Sequence, residues 1–150
     1  MMTHTTTTQT LIDGLNSDLA GELAAVIQYT TYAAVARGIH RTALVEFFEA
    51  EIPDELGHAR FLSNKIAALG GTPTTRPNPV VVPDSNRGLL EEVLKAETQA
   101  IEDYNQRIRQ AEDLGDTGLK VQLEDQILDE TNHREETAKL LDLTTNTSQI

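Results

Sequence analysis

Two short segments of this 150-residue chain carry the same chemistry in the same frame: Asp54-Glu55-Leu56-Gly57-His58 and Asp129-Glu130-Thr131-Asn132-His133. Each sets a carboxylate and an imidazole three residues apart, the spacing that puts both on one face of a helix. The frame extends beyond these segments. Glu22 precedes Glu55 by 33 residues and Glu97 precedes Glu130 by 33, while Tyr29 and Tyr104 each follow the earlier glutamate by seven. A shift of 75 residues therefore maps one half of the chain onto the other, an internal repeat legible in spacing although most other residues differ. A lone Glu-x-x-His is a weak signal, common on solvated helix faces. Two of them in register with two further in-stripe glutamates imply a shared site, because a core holding unpaired acids is untenable.

These residues sit on elements that can bring them together. Four segments show apolar residues alternating by three and four, the pattern of helices facing a bundle core, and each carries one glutamate where a leucine is expected. The first helix should run from about Thr10 to Arg37 and stop at Gly38, and the second should end at Gly70-Gly71. The second contains Pro53, which removes one hydrogen bond and can kink it without interrupting the pattern. The third should stop near Gly115 and the fourth begin around Asp116, a good N-cap. Short links make the first and second, and the third and fourth, antiparallel hairpins. Residues 70–87, with four prolines, form an extended link that at about 3.3 Å per residue can reach about 60 Å, the length of a bundle. The expected fold is all-α, a four-helix bundle of two antiparallel hairpins joined by a long crossover. It should occupy residues 10–143, between a disordered polar tail over 1–9 and a polar tail over 144–150. Within the crossover, Val80-Val81-Val82 reads as a short strand, suited to a subunit contact rather than the core.

Counting along the hairpins brings Glu22 level with Glu55 and Glu97 level with Glu130, so one layer of the core gathers four carboxylates and two imidazoles. Like charges that close in a low-dielectric interior cost several kcal/mol each unless they take up protons or cations. Two divalent metals would cancel four carboxylates. The Glu and His donor set suits iron, manganese or zinc, and the imidazoles disfavour calcium and magnesium. His4, in the tail, and His40, in a turn, have no expected role.

Composition narrows the remaining classes. There is no Cys, which excludes disulfides, thiolate metal sites, iron–sulfur clusters and cysteine nucleophiles. The net charge of −12 repels nucleic acid and attracts cations. The start, MMTHTTTTQT, lacks the apolar stretch of a signal peptide, and no run approaches the roughly 20 apolar residues of a membrane span. A soluble cytoplasmic protein is expected, with neither nucleic acid nor membrane as partner.

Over about residues 10–142 the ligand pattern resembles the ferritin-like superfamily, in particular bacterioferritin-type and Dps-like non-haem members. The resemblance implies that Glu22 and Glu97 are terminal ligands of two metals, Glu55 and Glu130 bridging carboxylates, and His58 and His133 terminal imidazoles. It makes Tyr29 and its counterpart Tyr104 hydrogen-bond donors beside the centre, and Asp54 and Asp129 partners that orient a ligand. Haem-binding relatives carry Met directly after the first bridging Glu; here that residue is Leu56, and the only methionines are Met1 and Met2, so no haem is expected. The chain ends in LTTNTSQI, without the fifth helix of 24-subunit ferritins. That favours a smaller homo-oligomer, built from dimers and as large as a dodecamer. The N-terminal tail has no Lys or Arg for a Dps-like DNA contact.

The activity this implies is that of a ferroxidase: two iron ions as cofactor, Fe(II) oxidised by O₂ or H₂O₂, and storage of the ferric product where a cage forms. Bridging carboxylates hold paired metals about 3.5–4 Å apart, close enough for one oxidant to take an electron from each. The alternative reading uses the same centre as a di-metal peroxidase, a manganese-catalase-like enzyme or an oxygenase.

Overall fold

The computed structural model describes residues 5–142, which form four helices: α1 (Thr8–Val35), α2 (Arg41–Ala68), α3 (Asn86–Asp113) and α4 (Thr117–Leu140). Helix α1 begins two residues earlier than the periodicity predicts. Thr7 caps it, its hydroxyl accepting from the Thr10 N–H at 3.1 Å while the Thr10 hydroxyl accepts from the Thr7 N–H at 2.9 Å. The side chains of Ser85 and Asp116 cap α3 and α4 in the same way, at 3.0 Å each.

Helix ends are fixed just as locally. After α2 and α3 the chain enters the left-handed region at Gly70 (φ +90°) and Gly115 (φ +72°). The following N–H then reaches back to close the last turn: Gly71 donates to Ile66 O and Asp116 to Ala111 O, both at 2.9 Å. At the end of α1, Arg41 donates to the open carbonyls of Ala33 and Ala34 at 3.1 Å each. Pro53 lies inside α2 without ending it, as its sequence pattern indicates.

The link between α2 and α3 runs the length of α1, tied to it at every stage. Asn16 holds Thr72 O and the Thr74 N–H, Ala20 O accepts from the Asn78 N–H at 3.1 Å, and the Tyr32 hydroxyl donates to Val81 O at 2.5 Å. Arg37 and Asn86 then exchange hydrogen bonds where α3 starts. Helices α2 and α3 are therefore parallel, within two antiparallel hairpins. The strand expected at Val80–Val82 does not form, and the described residues contain no strand. Pro79 and Pro83 flank the three valines and no second strand lies alongside, so the segment stays irregular and leaves Val81 63% exposed.

The apolar core is in two parts. One, towards the start of α1, contains Leu11, Leu15, Leu19, Leu62, Ile66, Leu119 and Leu123. The other, towards its end, contains Tyr32, Leu44, Phe48, Leu89 and Val93. Between them lies a polar layer. Near that layer the α1–α3 seam is fastened by a buried ion pair, Arg107 Nε to Asp18 Oδ2 at 2.8 Å, with Arg107 also donating to Gln110 at 2.8 Å. Burial pushes the Asp18 carboxyl up to about 6, although Arg107 pulls the other way.

The guanidinium of Arg107 fits only because residue 14 is glycine: a Cβ there would lie 2.0 Å from its Nη1. At Gly21, two turns on, a Cβ would meet only the Asn78 amide at 3.9 Å. We therefore expect Gly14→Ala to lower stability by about 2 kcal/mol or more by displacing a buried charge from its partner. Gly21→Ala should be neutral or stabilising by up to about 1 kcal/mol through helix propensity. Urea denaturation of the two variants checks the contrast, which equal effects would contradict.

Candidate metal centre

The polar layer contains Glu22, Glu55, His58, Glu97, Glu130 and His133, each at most 6% exposed. One glutamate comes from each helix, and the two histidines follow on α2 and α4 by one helical turn. His58 turns Nδ1 inward, 3.3 Å from Glu130, 3.5 Å from Glu22 and 3.7 Å from Glu55. His133 turns Nδ1 inward to within 3.3 Å of Glu55. Donor atoms of Glu22, Glu55, His58 and Glu130 all lie within 4.8 Å of one another. Glu97 stands outside that tight group, its Oε1 held by two hydroxyls.

The outer contacts cross between halves. The Nε2 of His58, on α2, pairs with Asp129 on α4 at 2.9 Å, and the Nε2 of His133 with Asp54 on α2 at 3.1 Å. Tyr29 on α1 donates to Glu97 Oε1 at 2.7 Å, and Tyr104 on α3 donates to Glu22 Oε1. Each histidine thus donates its outer N–H to a carboxylate, which orients the ring and leaves Nδ1 for the interior. Burial and the adjacent glutamates push both phenols well above their ordinary range, so they remain neutral donors.

Two further contacts were not read from the sequence. Glu51, one turn before Glu55, forms an ion pair with His133 Nε2. Thr137 donates to Glu97 Oε1 at 3.2 Å. The i−4 relation of Glu51 to Glu55 was the available signal, hidden among the many acids of the helix faces. Leu56, in the position that haem-binding relatives give to Met, is 46% exposed.

Several atoms of the layer are buried with no hydrogen-bond partner: Glu55 Oε1, His58 Nδ1, Glu97 Oε2, Glu130 Oε1 and His133 Nδ1. All five belong to the layer and are lone-pair donors when deprotonated, so the residues fit a group of cations. Without cations the layer must hold protons. Burial pushes Glu97 up to about 8 and Glu130 up to about 7, with Glu55 also raised and the neighbouring glutamates adding to burial. Burial alone would lower His133, but Glu51 and Glu55 outweigh it and raise the imidazole to about 11. The facing carboxylates raise His58 likewise.

A cavity of about 300 Å³ reaches the layer between α1, α3 and the crossover. Gly21, Ala24, Ala25 and Ala100 leave its walls open, and Glu22, Tyr29, Glu97 and Tyr104 lie at its inner end. It joins the layer to solvent.

Residues 12–147 match the ferritin-like domain family. The chain belongs to that family. This ferritin-like chain is similar to a ferritin-like, diiron-carboxylate protein from Bacillus anthracis, with a TM-score of 0.89 and 49% identity over 93% of this chain and 99% of that one. It is also similar to the bacterioferritin of Desulfovibrio desulfuricans, with a TM-score of 0.84 and 25% identity over 95% of this chain and 84% of that one. A bacterial ferritin of Pseudomonas aeruginosa is 36% identical over 87 residues, 58% of this chain and 56% of the relative, so the match spans little more than half of that protein. No described helix of this ferritin-like chain is long and apolar enough to cross a membrane.

The raised groups make the metal-free protein sensitive to alkali. Glu97 and Glu130 keep protons that the unfolded chain releases near 4.5, so folding loses stability as pH climbs from there towards 7–8. His133 adds the same sign between 6.5 and about 11. Metal-free protein should therefore melt at lower temperature at pH 8 than at pH 5.5, and Glu97→Gln should flatten the slope. A melting temperature that rises across this window would contradict the assignment.

Proposed function

We propose that this ferritin-like protein binds two iron ions in the polar layer and oxidises Fe(II) with O₂ or H₂O₂. The observation that carries the reading is the set of five buried, unpartnered donor atoms from the layer's own residues. Glu22 with His58 would hold one ion and Glu97 with His133 the other, with Glu55 and Glu130 shared between them. Iron suits the mixed carboxylate and imidazole set, and manganese or zinc would use the same atoms. When bound, the paired metal supplies one-electron steps to an oxidant.

The protein's own residues then have separable tasks. Tyr29 and Thr137 occupy Glu97 Oε1 and leave Oε2 free for a cation, while Tyr104 does the corresponding work at Glu22 Oε1. Asp129 and Asp54 hold the histidines so that Nδ1 faces inward. The layer's raised carboxyl groups release protons as cations enter, so affinity for divalent metal should increase as pH passes 7–8. The cavity between α1 and α3 admits Fe(II) and oxidant, with surface acids from the net charge of −12 concentrating the ion. Copies of the chain assemble into a homo-oligomer, and any storage of ferric product belongs to that assembly in a cytoplasmic setting.

The test is to load metal-free protein anaerobically with Fe(II), add O₂ or H₂O₂, and follow Fe(III) absorbance. We expect oxidation well above the rate in buffer, and at least about a tenfold loss in Glu22→Ala or Glu130→Ala. Oxidation no faster than in buffer would refute the reading.

A further inference from the structure

The two halves of the layer differ in the charge beside their histidines. The 75-residue shift that carries Glu22 to Glu97, Glu55 to Glu130, His58 to His133 and Asp54 to Asp129 carries Glu51 to Gln126. Glu51 is an acid on the outer edge of His133, forming an ion pair with its Nε2. Gln126 is a neutral amide, 1% exposed, with neither its oxygen nor its nitrogen hydrogen-bonded. His133 therefore has two carboxylates at Nε2, Glu51 and Asp54, while His58 has one, Asp129. We propose that the two metal positions are unequal, that the one at His133 and Glu97 fills first, and that Glu51 opposite Gln126 sets this order.

The inference rests on the metal-centre reading above and adds an asymmetry to it. A carboxylate accepting a histidine's outer N–H makes the inner nitrogen a better donor, and losing such a partner typically costs about 10–100-fold in metal affinity. A second carboxylate on the same edge also leaves a full negative charge one imidazole away from the incoming cation. Gln126 offers a dipole where its counterpart offers a charge. Other differences close to the centre add no net charge: Thr137 holds Glu97, while its counterpart Leu62 has no hydroxyl to offer Glu22; Glu97 stands outside the tight donor group that Glu22 joins; and the Asp18–Arg107 pair has Val93 and Tyr32 as counterparts. One hydrogen bond to a carboxylate orients it without changing the charge of the position, so Glu51 should dominate. Glu51 acts through His133 and is thus a positioning residue.

Stepwise binding alone does not decide the matter, since two cations sharing Glu55 and Glu130 repel and bind in two steps even at a symmetric site. Location decides it. Metal-free protein is crystallised with one equivalent of Co²⁺ per chain, and anomalous diffraction measures occupancy at each position. A symmetric centre would divide the ion evenly. We expect the peak beside His133 and Glu97 to exceed the other several-fold, and E51Q to bring the two towards equality. In solution, Co²⁺ absorbance should show the first step about tenfold weaker in E51Q and the second unchanged. The charge-conserving swap E51Q/Q126E should move the preference to the His58 side.

Equal peaks in the wild-type crystal, or a preference that E51Q leaves untouched, would overturn this inference while leaving the metal centre intact. Failure to bind any Co²⁺ in the layer would overturn both.

Discussion

Four carboxylates and two imidazoles in a buried layer are the constraint that the rest of this bundle accommodates. Each glutamate alone would be a severe liability at that depth. Together they become tolerable only if protons or cations offset the charge. The metal-free layer answers with protons, which is why Glu55, Glu97, Glu130 and both imidazoles are pushed upward. That answer leaves lone pairs aimed at one another without bonds. Two divalent cations would satisfy the same atoms and remove the repulsion, which would make the chemistry of the site and the stability of the fold one problem.

The remainder of the structure holds the layer in place. The apolar core is divided by it, and Tyr29 and Tyr104 belong to opposite parts while reaching carboxylates within it. Threonine, serine and aspartate caps and the Gly70 and Gly115 turns set the helix ends, and so the height of each glutamate. The crossover, bonded to α1 from Asn16 to Tyr32, makes α2 and α3 parallel and places His58 on α2 opposite Asp129 on α4. Asp18 and Arg107 fasten α1 to α3 where the cavity would otherwise loosen the seam.

The sequence made the four helices and their pairing legible because the glutamates interrupt otherwise regular apolar stripes, and because the repeat doubles the evidence. Glu55 and His58 could be paired with Glu130 and His133 by spacing alone. Other features depend on rotamers and three-dimensional neighbours. Glu51 looks like any surface acid until His133 is seen beside it, and the Asp18–Arg107 pair joins residues 89 positions apart. The triple-valine segment shows the opposite failure: β propensity predicts a strand, but pairing needs a neighbour that the described residues do not supply. The Glu51–Gln126 difference was present in the repeat, yet it acquires meaning only from the ion pair to His133.

The central claim is that the layer is completed by two cations. It is tested most directly by urea denaturation of metal-free protein at pH 7, with and without anaerobic Fe(II), together with a count of the ions bound per folded chain. The account predicts two ions per chain and a clear rise in the denaturation midpoint, with about 2.7 kcal/mol for each site held at a hundredfold excess over its dissociation constant. An unchanged midpoint with no ion retained would contradict it.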